Sequence, residues 1–206
     1  MTMFFAGSVF AFSDIRGDKG ETAIRALKEA GVVRGIAPDI FWPQGKVTYA
    51  QGVFMVVKAF HLTLDPEEYD DVPPASDFFS KVPDEAWYSD AFVIAHLHGL
   101  PLDKDVDPNA KMTREEFAHL LFRAILTQGD YAFIELYVMM KDEDQVSPEM
   151  MESIQKLLVA NIAELENGYF YPKKKITRSE AAQMLYKALR FVKETEPIPP
   201  LEPPVD

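Results

Sequence analysis

Arg114 and Arg178 each stand directly after a threonine, and Thr113 and Thr177 are each followed three residues later by a glutamate, Glu116 and Glu180. Thr with Glu three residues on is a capping box: the hydroxyl accepts a backbone N–H of the first helical turn, and the carboxylate reaches back to the threonine N–H. The box needs only those two residues, so each arginine occupies a first helical position with no local structural duty. A guanidinium there is a planar fork of donors that matches a carboxylate bidentately, and a helix N-terminus adds N–H groups and the positive end of the macrodipole. The chemistry expected is recognition of an anion. Lys111 and Lys175, two residues before each threonine, would bring further positive charge to the same spot.

Other chemistry is poorly supported. Asp103, Asp105, Asp107 and Asn109 imitate alternate positions of a calcium loop, but Pro108 stands where the turn needs Gly and Arg114 where the loop needs its last glutamate. His96 and His98 are two apart, which puts them on different faces of a helix and prevents a shared metal. With four histidines, no cysteine and no nucleophile motif, the chain reads as a binding protein and not an enzyme, with no cofactor and no metal.

The elements that must hold the arginines are written three times. A third box, Thr48 with Gln51, carries Tyr49 in the arginine position; Lys46-Val47-Thr48, Lys111-Met112-Thr113 and Lys175-Ile176-Thr177 recur at intervals of 65 and 64 residues. Behind each threonine the same apolar stripe follows, ending on Ala59-Phe60, Ala124-Ile125 and Ala188-Leu189. The alanines leave room for three equivalent helices to approach closely. Upstream of each box lies another helical stretch: Thr22 to Ala30 before Gly31, Asp90 to His98 before Gly99, and one opened by Ser147-Pro148 that runs to Asn161. The expectation is an all-α chain of three helix–loop–helix units.

These residues resemble the S-layer homology repeats that hold exported bacterial proteins on cell walls. In the second unit DEAWYSDAFVIAHLHGL followed by MTREEFAHLLFRAI is the most similar stretch; the first keeps FSDI, AIRALKEAGVVRG and FWPQGKVT, and the third GYFYPKKKITRSEAAQMLYKAL. The likeness runs from about Phe12 to Val192. It implies three repeats in a pseudo-threefold bundle, and a groove between neighbouring repeats in which the motif arginine contacts a secondary cell-wall polysaccharide whose terminal sugar can carry a pyruvate ketal. That role falls on Arg114 and Arg178, with Lys111 and Lys175 beside them. Gly35 would let a sugar approach the backbone, and Trp42, like Tyr171, could stack on a sugar ring. Trp87 is assigned to packing beneath the first helix of its unit. The departures are Tyr49, Gln51 and a missing tryptophan in the first unit, loss of the second loop glycine in the second, and loss of the Phe-x-Asp opening, the tryptophan and the glycine stop in the third. They keep open a second reading, a degenerate helical module for protein–protein interaction or surface assembly without glycan binding.

Charge constrains the mode of binding. Thirty-three acidic against 21 basic residues give a net charge of −12, which excludes nucleic acid and diffuse attraction to an anionic polymer. Recognition must be local. Met3 to Ala11 reads as the end of an apolar export signal, so that the mature chain starts near Phe12 and has no membrane span. The expected divisions are 1–11 for that segment, 12–64, 65–128 and 129–192 for the repeats, with Tyr131 to Met140 helical, and 193–206 for a Pro-rich tail. The likeness implies a protein secreted to the wall or surface of a Gram-positive bacterium, monomeric, with a surface protein as a second partner class.

Overall fold

A computed structural model describes residues 12–199, so the apolar segment Met3 to Ala11 and the last prolines lie outside the described residues. The described chain is helical: α1 (Glu21–Glu29), α2 (Tyr49–Ala59), α3 (Ser89–Leu97), α4 (Arg114–Leu126), α5 (Pro148–Val159) and α6 (Arg178–Glu194), with short 3-10 turns at Ser13–Ile15, Ala75–Asp77 and Glu143–Gln145. Only isolated β-bridges accompany them among the described residues.

All three capping boxes form. Thr48, Thr113 and Thr177 accept from Gln51, Glu116 and Glu180 at 3.1–3.2 Å, and their own N–H groups are taken by those side chains at 3.1, 2.6 and 2.8 Å. The upstream helices α1, α3 and α5 stop where Gly31, Gly99 and Asn161 take left-handed φ of 70°, 70° and 55°. Asn is the side chain that tolerates this conformation best after Gly, and it serves as the third stop.

The capped helices α2, α4 and α6 touch one another in all three pairings, with Ala59, Ala124 and Ala188 buried. Each upstream helix packs on the capped helix of a different unit: α3 on α2, α5 on α4, and α1 on α6. The first and last units therefore close on each other. Three backbone hydrogen bonds tie the loops in the same cyclic order, Val47 N–H to the Ile176 carbonyl, Ile176 N–H to Met112 and Met112 N–H to Val47, at 3.0–3.1 Å. Around this knot sit Phe41, Phe92, Phe117, Phe170, Leu121 and Ile125, all fully buried.

One expected element is absent. Residues 131–140 form an irregular strap with no helix. Apolar residues abound there without a 3.6-residue period: Phe133 turns inward onto Phe122 and Phe191, whereas Ile134, Leu136, Tyr137 and Met139 are exposed. The amide of Gln155 on α5 fixes the strap, accepting from Val138 N–H at 2.8 Å and donating to the Val138 carbonyl at 3.0 Å. The chain returns beside it, where Ile198 N–H donates to the Asp130 carbonyl at 2.6 Å.

Candidate functional site

Three grooves lie where the loop after an upstream helix meets the first turn of a capped helix from another unit. Their first-turn residues are Arg178, Arg114 and Tyr49, and the three differ in how that residue is engaged.

The Arg178 groove has a volume of about 560 Å³ and is walled by Val32–Ile36, Gln51, Phe54, Met55 and Trp87. Arg178 itself is 7% exposed. Its Nε donates to the Phe41 carbonyl at 2.8 Å and Nη2 to the Arg34 carbonyl at 2.6 Å, with the guanidinium 4.3 Å above the Phe41 ring. No carboxylate pairs with it among the described residues, and Nη1 makes no hydrogen bond there. Burial pushes the guanidinium pKa down and Asp14 partly offsets this, but an arginine stays charged in either case. The result is a fixed, desolvated cation aimed at a cavity.

Asp14 builds the platform. Its two oxygens accept the Phe41 and Trp42 N–H groups at 2.9 and 2.7 Å, which holds Trp42 at a φ of 63° and sets the carbonyl that grips Arg178. Asp142 repeats this with Phe170 and Tyr171 at 2.9 and 2.7 Å, Tyr171 having a φ of 57°. The third unit thus keeps the carboxylate of the opening that sequence comparison counted as lost; Met140 merely stands in place of the phenylalanine. The second unit has Lys81 after Ser80 instead, and Val106 seven residues before Thr113 where Phe41 and Phe170 precede the other two threonines.

Arg114 sits over Phe170 at 5.0 Å and donates from Nη2 to the Glu164 carbonyl at 3.0 Å. Its surroundings are different. Glu180 lies 3.6 Å from Nη1, Glu164 and Glu166 line the same groove, Nε is buried without a partner among the described residues, and the groove holds only about 180 Å³. Burial raises the Glu180 carboxyl, but the Thr177 N–H, Lys174 and Arg114 outweigh it and keep the pKa below the usual carboxylate range. This arginine already has its anion.

The Tyr49 groove, about 480 Å³, is lined by Asp103, Glu116, Glu149, His96 and His119 with no lysine or arginine. Burial and the neighbouring Glu116 carboxylate push the Tyr49 hydroxyl pKa far up, so it stays protonated. A groove so charged repels an anion.

The structure disposes of the helix-terminus argument in its simple form. The first two N–H groups of α6 donate to the Gly45 and Pro43 carbonyls, those of α4 to Lys174 and Pro172, and those of α2 to Ala110 and Pro108, all at 2.8–3.1 Å. With the threonine hydroxyl taking the third, all three of these N–H groups are bonded within the protein, so the helix N-terminus offers none of them to the groove. Lys111 and Lys175 have exposed side chains that line none of the grooves described; their backbones form the bridges to Thr48 and Thr113. Gly35 lines the Arg178 groove, and a Cβ there would collide with the Ala37 and Ile40 carbonyls and the Phe12 ring. Trp42 is exposed but does not line that groove. Trp87 does: it is 62% exposed, edge-on to Phe54 and Tyr88, and is no packing residue beneath α3. Its placement depends on α3 packing against α2, a contact across units that the sequence does not announce.

Comparison with known families bears on this geometry directly. Two segments match the S-layer homology domain. They are residues 11–51 and 140–182, and each runs from the aspartate clamp, Asp14 or Asp142, through an upstream helix and loop into the first turn of a capped helix. The intervening unit, which has neither the clamp aspartate nor the aromatic platform, lies outside both. The two matched segments meet at the Arg178 groove, where Arg34 and Gly35 of one face Arg178 of the other. The chain is also similar to an amylopullulanase of Thermoanaerobacterium thermosulfurigenes, 27% identical over 186 residues covering 86% of this chain and 9% of that protein. An endoglucanase of Bacillus sp. (strain KSM-635) is 25% identical over 181 residues, covering 86% of this chain and 18% of the relative. The chain thus spans less than a fifth of the length of these relatives.

Proposed function

We propose that this chain holds an exported protein non-covalently on a bacterial cell wall by binding an acidic terminal sugar of a secondary wall polysaccharide, such as one with a pyruvate ketal, in the groove of Arg178. The observation that carries the reading is Arg178 itself: a buried guanidinium, fixed by two carbonyls and an aromatic ring, opening without a carboxylate partner onto a cavity of monosaccharide size. Trp87 gives the sugar an exposed ring face, and Gly35 lets it approach the loop backbone. The S-layer homology match supports attachment at a cell surface, and no helix among the described residues is long and apolar enough to cross a membrane. The cyclic contacts support the three-unit, pseudo-threefold reading, with one chain supplying all three grooves. Of these, one serves the anion.

The alternative, an assembly module without glycan binding, draws on the other two grooves, where Glu180 neutralises Arg114 and Tyr49 replaces the cation. Cosedimentation with bacterial wall sacculi, before and after removal of the secondary polymer, separates the two. Pelleting that depends on the polymer supports the anchor; no pelleting with walls known to carry an acidic polymer supports the assembly module.

A further inference from the structure

Gln51 is the one box residue of the three that is not a glutamate. In each groove the third residue of the capped helix faces the first-turn residue of another unit: Gln51 lines the groove of Arg178, Glu180 that of Arg114, and Glu116 that of Tyr49. The capping box fixes which end of that side chain looks outward. Thr48 offers an N–H, so the Gln51 oxygen must turn to it, as it does at 3.1 Å, and the Nε2 amide is left toward the groove with no hydrogen bond among the described residues. In the Arg114 groove the corresponding Glu180 turns Oε2 to the Thr177 N–H and presents Oε1 to Lys174 at 2.9 Å and Arg114 at 3.6 Å. One box therefore ends in a donor and its counterpart in an anion.

We infer that Gln51 is the residue that makes the Arg178 groove selective for a carboxylate. It caps α2 as a glutamate would, yet withholds the negative charge that its counterpart Glu180 brings to Arg114, and it adds a second donor, Nε2, to the groove that Arg178 lines. A carboxylate entering the groove meets these two donors, with Arg34 also on the wall, and no carboxylate among the lining residues; a neutral analogue of the same shape gains little from them. What looks in the sequence like decay of the motif is then the feature that sets specificity. This rests on the reading above that the groove takes a carboxylate, and the probes are chosen so that the two fail separately.

The test is Gln51→Glu in the full chain, a change that keeps the box because Glu116 and Glu180 make the same one, with melting temperature and circular dichroism as the check on folding. Nitrogen-15 NMR of the Arg178 Nε–H reports binding of three probes: a methyl hexoside with a 4,6-pyruvate ketal, its methyl ester, and sodium pyruvate. The expected result is that both anions shift the resonance in the wild type, that Gln51→Glu weakens both by about tenfold or more, and that the weak response to the ester stays within about twofold. Response to pyruvate but not to the ketal sugar, still lost in Gln51→Glu, keeps the role of Gln51 and sinks the saccharide reading. Equal anion affinity in the two proteins, an equal loss of ester binding, or no anion response in the wild type overturns the inference.

Discussion

Two arginines with the same sequence context have opposite electrostatic fates, and the difference lies in residues far away in the chain. Arg178 is gripped by two backbone carbonyls in a groove that Gln51 lines; Arg114 is gripped by the Glu164 carbonyl and has the Glu180 carboxylate 3.6 Å away, with Glu166 on the groove wall. Substituting Arg178→Ala is expected to weaken binding of the acidic sugar by about a hundredfold, the loss of a charge-assisted, partly desolvated contact, while Arg114→Ala changes it by less than about threefold. Arg178→Lys should recover only part, because an ammonium cannot reach both carbonyls and the ligand as a fork does. Calorimetric titration of the three variants checks this. The sequence made the arginines visible, since a capping box has no use for them. It did not distinguish them, because the ion-pair partners come from loops and boxes in other units. Asp142 was hidden by Met140, a change at the neighbour of the residue that does the work.

At the scale of elements, each capped helix has its first three N–H groups bonded, two to loop carbonyls of another unit and one to its threonine. Thr177→Ala is expected to lower unfolding free energy by about 1 kcal/mol, in the usual range for a lost N-cap, read from the urea midpoint at unchanged slope. The junction of α4 and α5 carries a pH response. His119 shares a hydrogen bond with Ser153 at 2.7 Å, and burial first, then Arg123, hold its pKa below the ordinary 6.5, with Glu149 opposing. The unfolded chain then binds the proton more readily than the folded one, so this histidine's effect is absent above pH 6.5 and erodes stability as pH falls from there toward the depressed folded value. His119→Gln should flatten that part of the stability profile measured by thermal unfolding between pH 7.5 and 5.5. Helix starts and stops were legible because caps are local chemistry. The strap at 131–140 was not: its apolar content suggested a helix, but Phe133 and Gln155 draw it across α5 and α4 as an irregular segment.

Over the whole molecule, the chain is acidic at −12 and yet proposed to hold an acidic sugar. Both can be true only if binding is made in one groove by a fixed cation and not by the field of the surface. The logarithm of the affinity should accordingly fall with the logarithm of salt at a slope of magnitude about 1, the release of roughly one counterion's worth of charge; a slope several times steeper would point to a diffuse basic surface the sequence does not possess. The cyclic closure, α1 on α6 and Val47 on Ile176, was beyond reach of the repeat pattern, which shows that units recur but not which unit completes which groove. That closure is what brings Arg178 to Gly35 and Gln51 across more than 120 residues of sequence. The most direct measurement is calorimetric titration of purified, acidic secondary wall polysaccharide into wild type, Arg178→Ala and Arg114→Ala, all verified as folded. One site per chain is expected, lost in Arg178→Ala and retained in Arg114→Ala. Binding that survives Arg178→Ala, or that disappears only with Arg114→Ala, contradicts it.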